Sequence, residues 1–166
     1  HAGVQPARAK VYLPDEPGYW EASWYDRGER RFPPTPLTLD DGTSVQAGFL
    51  ICTELWFMQH ARDYGQAGVH LLLTPRATEA RTVEKWLVGG RAAAIISGAY
   101  SLSSNKRGGV ADAGGAASAF GGQGWAIDPD GEVLALTSAE EPFVTVEVDL
   151  ARAEAAKERY PRYVEG

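Results

Sequence analysis

The chain has 166 residues, 44% hydrophobic and 23% charged, with a net charge of −6. The length suits one domain, and the acidic balance without long like-charge blocks argues against a nucleic-acid surface. No apolar stretch approaches a membrane span, and the single cysteine, Cys52, excludes an internal disulfide framework and is compatible with a reducing cytoplasm. The start, His1-Ala2-Gly3-Val4-Gln5-Pro6, has no basic or apolar leader region and no initiator Met.

Residues 14–44 are rich in Pro, Gly, Asp and aromatics and read as long loops. Val45 to Ile51 is an apolar run that reads as a buried strand. Glu54 to Gly65 has helical spacing, with Leu55, Phe57, Met58, Ala61 and Tyr64 as its candidate core face. His70 to Thr74 is a short strand that Pro75 is expected to stop, and Glu79 to Ile96 a second helix interrupted at Gly89-Gly90. Ala99 to Ser103 is a strand, and residues 107–124, rich in Gly and Ala, are expected to form a mobile loop or a disordered patch. Trp125–Ile127 and Glu132–Leu136 flank the turn Asp128-Pro129-Asp130-Gly131 as a hairpin. Phe143–Val148 alternates like a strand with one wet face, and Ala151–Tyr160 is a helix ended by Pro161. Strands separated by two helices, then an antiparallel finish, indicate α/β or α+β layering.

Cys52 lies where the apolar run meets the helical segment, in Gly48-Phe49-Leu50-Ile51-Cys52-Thr53-Glu54-Leu55. A strand-to-helix turn exposes one side chain at a sheet edge while N–H groups of the helix start converge nearby. A lone cysteine read without context is a buried structural residue. Its neighbours along the chain reverse that preference. Ala9-Lys10-Val11-Tyr12-Leu13-Pro14 leads through an acidic, aromatic stretch to Glu21 and Trp24-Tyr25-Asp26-Arg27-Gly28. After Cys52 come Ala61-Arg62, Gly68 to Pro75, Arg91-Ala92, Ser104 to Gly108 and Gly121 to Gly131. These segments, in this order, resemble the carbon–nitrogen hydrolase (nitrilase) superfamily, whose members work with a Glu-Lys-Cys set and a second supporting Glu.

The resemblance implies a four-layer α-β-β-α sandwich, with residues 1–166 as a single domain lacking its N-terminal part. The general-base Glu of the family lies well upstream of the lysine, and this chain begins nine residues before Lys10. Three departures are notable: Tyr12 stands where His is usual, Ala9 where Arg is common, and Thr53 where nitrile-specific members usually carry Trp. The last shifts the expectation from nitriles toward amide or carbamoyl substrates.

By the resemblance, Cys52 is the nucleophile and Lys10 the cation that favours a thiolate and then an oxyanion. The Thr53 N–H is the second oxyanion donor, and Glu54 shapes the turn beneath the nucleophile. Glu54 is equally a helix-start carboxylate favoured by the dipole. Glu21 is the supporting carboxylate, with Glu16 as competitor. Arg76, at a strand end, reads substrate or is a plain surface arginine; Trp20, Trp24 and Trp56 wall a pocket or pack in the core. Of the histidines, His1 is terminal and His60 and His70 lack ligand spacing, so no metal set and no cofactor is expected. His60 reads as a helix-surface residue and His70 as a strand start. Gly121-Gly122-Gln123-Gly124 precedes a strand rather than a helix and is no nucleotide loop.

The leading reading is a cytoplasmic cysteine hydrolase of non-peptide C–N bonds. Its expected partners are a small-molecule amide, carbamoyl or nitrile substrate, the N-terminal remainder of the fold, and further copies in a homo-oligomer. A non-catalytic regulatory subunit, and an enzyme that transfers the acyl group to an amine, are the alternatives.

Overall fold

The computed structural model describes residues 8–111 and 117–164, with the backbone alone for 109–111 and 117–119. The chain divides into two units, residues 1–31 and 32–166.

In the first unit, β1 (Asp15–Glu16) and β2 (Tyr19–Trp20) pair antiparallel across Pro17-Gly18, where Gly18 takes φ +87°. A one-turn helix, α1 (Glu21–Trp24), follows directly. The stretch expected to be only loop therefore carries short regular elements. Gly28 donates its N–H to the Lys10 carbonyl at 2.9 Å, and a Cβ there would lie 2.3 Å from the Ala9 carbonyl oxygen. Only glycine lets the two backbones approach this closely.

The second unit is built on one six-stranded mixed sheet. Its strands are β3 (Thr35–Thr38), β4 (Ser44–Phe49), β5 (Leu71–Arg76), β6 (Tyr100–Asn105), β9 (Trp125–Ile127) and β10 (Val133–Leu136). The spatial order is β10-β9-β6-β5-β4-β3. Strands β4, β5 and β6 run parallel, joined by helical crossovers, while the outer strands pair antiparallel. The crossovers are α2 (Met58–Gln66), preceded by a 3₁₀ segment at Cys52–Trp56, and α3 (Val83–Ser97), preceded by one at Ala80–Thr82. Leu50, Leu55, Ala61, Tyr64, Leu72, Trp86, Ala93, Ala94, Trp125 and Ile127 form one buried cluster between these helices and the sheet. Helix α4 (Leu150–Lys157) starts at Asp149, whose carboxylate accepts the Ala151 N–H at 3.0 Å. No helix among the described residues is long and apolar enough to cross a membrane.

Several sequence expectations change. Strand β5 continues through Pro75 to Arg76. Its neighbour β4 pairs no further than Phe49 opposite Leu73, so Pro75 sits where one flank of the ladder has ended and its missing N–H leaves nothing unpaired. Gly89-Gly90 does not interrupt α3. A Cβ at Gly89 would lie 3.0 Å from the Trp56 indole and one at Gly90 2.6 Å from that of Trp125, so both glycines are openings for aromatic rings. Residues 107–124 are not simply a loop. β7 (Arg107–Ala111) and β8 (Ala117–Gly121) pair as a hairpin, and the expected loop between them lies outside the described residues. The alternating run Phe143–Val148 forms no strand: no neighbouring ladder among the described residues takes it up, and Phe143 is 88% exposed. Helix α4 ends at Lys157, before Pro161. His60 is no surface residue; its ring stacks on Phe32 at 3.7 Å.

Candidate active site

Strand β4 ends at Phe49, and Leu50 closes the ladder by donating to the Leu73 carbonyl at 3.0 Å. Two residues later the backbone turns sharply: Cys52 has φ +51°, the one positive value at a non-glycine residue among those described. A non-glycine residue in this region costs roughly 1–2 kcal/mol and persists only where its surroundings impose it. Cys52 is half-buried against the core cluster, at the first position of the 3₁₀ segment.

Glu54 imposes the turn from inside. It is fully buried, and its Oε2 accepts the Ile51 N–H at 2.8 Å while its own N–H reaches the Ile51 carbonyl at 3.2 Å. This is the reciprocal arrangement of a helix-start carboxylate reaching back to the first backbone donor. Thr53 lies between Cys52 and Glu54, so its N–H belongs to the first turn of the 3₁₀ segment. Trp56 closes the segment, 44% exposed, with its ring 4.9 Å from that of Trp86 on α3.

Arg76 is the final residue of β5, level with the same sheet edge, and only 7% exposed. Its Nε donates to Ser103 Oγ at 2.8 Å, Nη1 to Thr78 Oγ1 at 2.8 Å and Nη2 to the Gln123 carbonyl at 2.5 Å. The guanidinium lies 4.0 Å over the Trp125 ring and 5.7 Å from that of Trp86. Burial pushes it down to about 10, with the Cys52 side chain acting in the opposite direction. It remains a cation at neutral pH. The plain surface arginine, one of the two alternatives for this position, is excluded.

In the first unit, Lys10 Nζ lies 2.5 Å from Glu21 Oε2, with 12% and 31% of the two side chains exposed. The competitor Glu16 is exposed on β1 and makes no such pair. Trp20, 42% exposed, packs its ring 5.9 Å from that of Trp24. Lys10 and Glu21 thus meet in one unit, and Cys52, Glu54, Trp56 and Arg76 line one edge of the other. Trp86, Trp125, Thr78 and Ser103, which surround Arg76, carry no sequence motif. The one hint is Gly90, placed one helical turn after Trp86 in α3. Among the described residues no group of three or more His, Cys, Asp or Glu side chains could hold a metal ion.

Parallel strands with a strained residue at the C-terminal end of β4 and helices on the sheet define a nitrilase-type α/β fold. Solved structures share it. A carbon-nitrogen hydrolase from Helicobacter pylori G27 superposes with a TM-score of 0.79 at 26% identity, over 93% of this chain and 55% of that one. Saccharomyces cerevisiae Nit3, a member of branch 10 of the nitrilase superfamily, gives 0.68 at 20% identity, over 92% and 51%. An amidase from Nesterenkonia sp. AN1 gives 0.57 at 24% identity, over 78% and 44%. The chain spans about half the length of these structures. No curated protein matches the sequence. The sequence profile described as carbon-nitrogen hydrolase matches residues 5–158, and the chain belongs to that family.

Proposed function

We propose that the protein is a cysteine-dependent hydrolase of non-peptide carbon–nitrogen bonds, acting on an amide or N-carbamoyl substrate through a thioester. The observation that carries the reading is Cys52 itself, held at φ +51° on the C-terminal edge of a parallel sheet in a chain of this family. Strain at a reactive side chain is a mark of function, because a merely structural thiol has no need of it. In this reading the Cys52 sulfur attacks the carbonyl carbon, and the C–N bond then breaks with departure of ammonia or an amine. Water hydrolyses the resulting thioester to the acid and restores the thiol. Lys10 supplies positive charge to the oxyanion and Glu21 orients its ammonium, in keeping with their 2.5 Å pairing. The Thr53 N–H is the second oxyanion donor, and Glu54 fixes the turn. The amidase of Nesterenkonia sp. AN1 carries a covalent acetamide adduct at its active-site cysteine, which supports the same assignment here.

The test is mass spectrometry of the protein quenched during turnover of a simple amide, with ammonia release followed in parallel. An acyl adduct on Cys52, absent from Cys52→Ala together with all ammonia release, is the expected result. Full ammonia release by Cys52→Ala overturns the reading.

A further inference from the structure

Arg76 is a buried cation for which the fold supplies no anion. All three of its hydrogen bonds go to neutral oxygens, those of Ser103, Thr78 and Gln123. A guanidinium has five N–H groups, so two find no acceptor among the described residues. No carboxylate among those residues lies within ion-pair distance. On the same strand, the buried Thr74 Oγ1 likewise has no partner. Burying a charge without a counter-charge is costly, and arginine is seldom buried unless paired. The stacking on Trp125 and Trp86 fixes the plane of the guanidinium but neutralises nothing.

The position is equally specific. Phe49 and Leu73 are paired across parallel strands, and Cys52 and Arg76 each follow that pair by three residues along their own strand. Adjacent strands lie about 4.8 Å apart, so the two residues leave the sheet at the same level of its C-terminal edge. This is the edge at which open parallel sheets bind ligands. The Trp56–Trp86 contact ties the cysteine's segment to the aromatic surface under Arg76.

We propose that Arg76 selects the substrate by pairing with a carboxylate that the substrate carries beside its scissile amide or carbamoyl group. This rests on the hydrolase reading for the word substrate, but not for the anion preference of the Cys52 edge. A planar guanidinium held by three neutral acceptors and two indoles is preorganised for a planar carboxylate, and its charge needs no reorganisation when the ligand arrives.

The experiment compares alkylation of Cys52 by iodoacetate and iodoacetamide at neutral pH, with glutathione as reference thiol. In both reactions the sulfur displaces iodide from the CH₂ group, a C–S bond replaces C–I, and the thiol proton passes to solvent. The reagents differ in the carboxylate. The protein should favour iodoacetate about tenfold or more relative to glutathione, the size of one charge-assisted contact. Arg76→Gln should return the ratio to that of glutathione, and Arg76→Lys should keep part of the preference. A wild-type ratio equal to that of glutathione overturns the proposal without any variant having to fold, and so does a preference that survives Arg76→Gln. Turnover adds a second arm: kcat/KM for succinamate relative to butyramide should fall by roughly 30-fold or more in Arg76→Gln. A protein that turns over no amide yet shows the Arg76-dependent alkylation ratio defeats the hydrolase reading and leaves the anion preference standing. Turnover of both amides with no dependence of their ratio on Arg76 does the reverse.

Discussion

The Glu54 carboxylate accepts the Ile51 N–H at 2.8 Å, so the two residues bracket Cys52 and close the turn that holds it at φ +51°. Glu54 is fully buried. Glu54→Ala leaves a buried N–H without this acceptor, a loss of about 1–3 kcal/mol. Glu54→Gln keeps an oxygen in place and should cost less. Denaturant unfolding of the two variants checks the order. The turnover rate should fall with Glu54→Ala even at temperatures where the protein stays folded, because Cys52 is then no longer held.

Backbone strain at Cys52 makes a second prediction, which separates strain from chemistry. Cys52→Gly and Cys52→Ala both lack the thiol, yet only glycine accepts positive φ freely. Cys52→Gly should therefore be more stable than Cys52→Ala by about 1 kcal/mol. Equal unfolding midpoints would show that the turn relaxes and stores no strain.

Lys10 and Glu21 form a close, half-covered pair in the first unit. Lys10→Ala should lower turnover by roughly 10²–10³-fold, the loss of one oxyanion donor. Glu21→Gln should lower it less, since the amide oxygen still accepts from the ammonium. A Lys10→Ala enzyme with wild-type kcat would remove this residue from the mechanism.

Gly90 is a site where two principles oppose each other. In a helix interior, alanine is favoured over glycine by about 1 kcal/mol. A Cβ here meets the Trp125 ring at 2.6 Å, and Trp125 is itself held by its Nε1–H on Ser101 Oγ at 3.0 Å. Overpacking of this kind costs about 1–3 kcal/mol, so the clash prevails and Gly90→Ala should lower the melting temperature. A stabilised variant would mean that the indole moves freely.

The turn residue Asp130 gathers Arg152, Arg159 and Arg162. Burial alone raises its carboxyl; hydrogen bonds from Arg152 and Arg159 and the charges of Arg159 and Arg162 outweigh this and hold it below the usual carboxylate range. A depressed carboxyl contributes stability that is present above its unfolded value, about 3.9, and is lost as pH falls through its folded value. Acid should therefore release α4 and the segment after it. Hydrogen exchange of residues 150–164 should quicken below about pH 4 in the wild type, and the acid limb should be flatter in Asp130→Asn.

Local signals in the sequence carried the parallel core of the fold. An apolar run ending at Cys52 and a helical spacing after it place a thiol at a strand–helix turn, because strand and helix periods are properties of neighbouring residues. The same holds for the hairpin around Asp128-Pro129-Asp130-Gly131 and for the segment order that marks the family. What only the tertiary structure decided involves partners distant along the chain. Gly89 and Gly90 look like helix breakers until the indoles of Trp56 and Trp125 press against them. Pro75 looks like a stop until β4 is seen to end first. The run Phe143–Val148 has the alternation of a strand, but a strand needs a ladder, and periodicity cannot supply one. Arg76 shows the limit most clearly: an arginine after a proline carries no mark of burial, and its solvent is removed by Trp86, Trp125, Thr78 and Ser103, which come from three other segments of the chain. Sequence patterns report which face of an element is apolar; which atoms close over that face is decided by packing between elements.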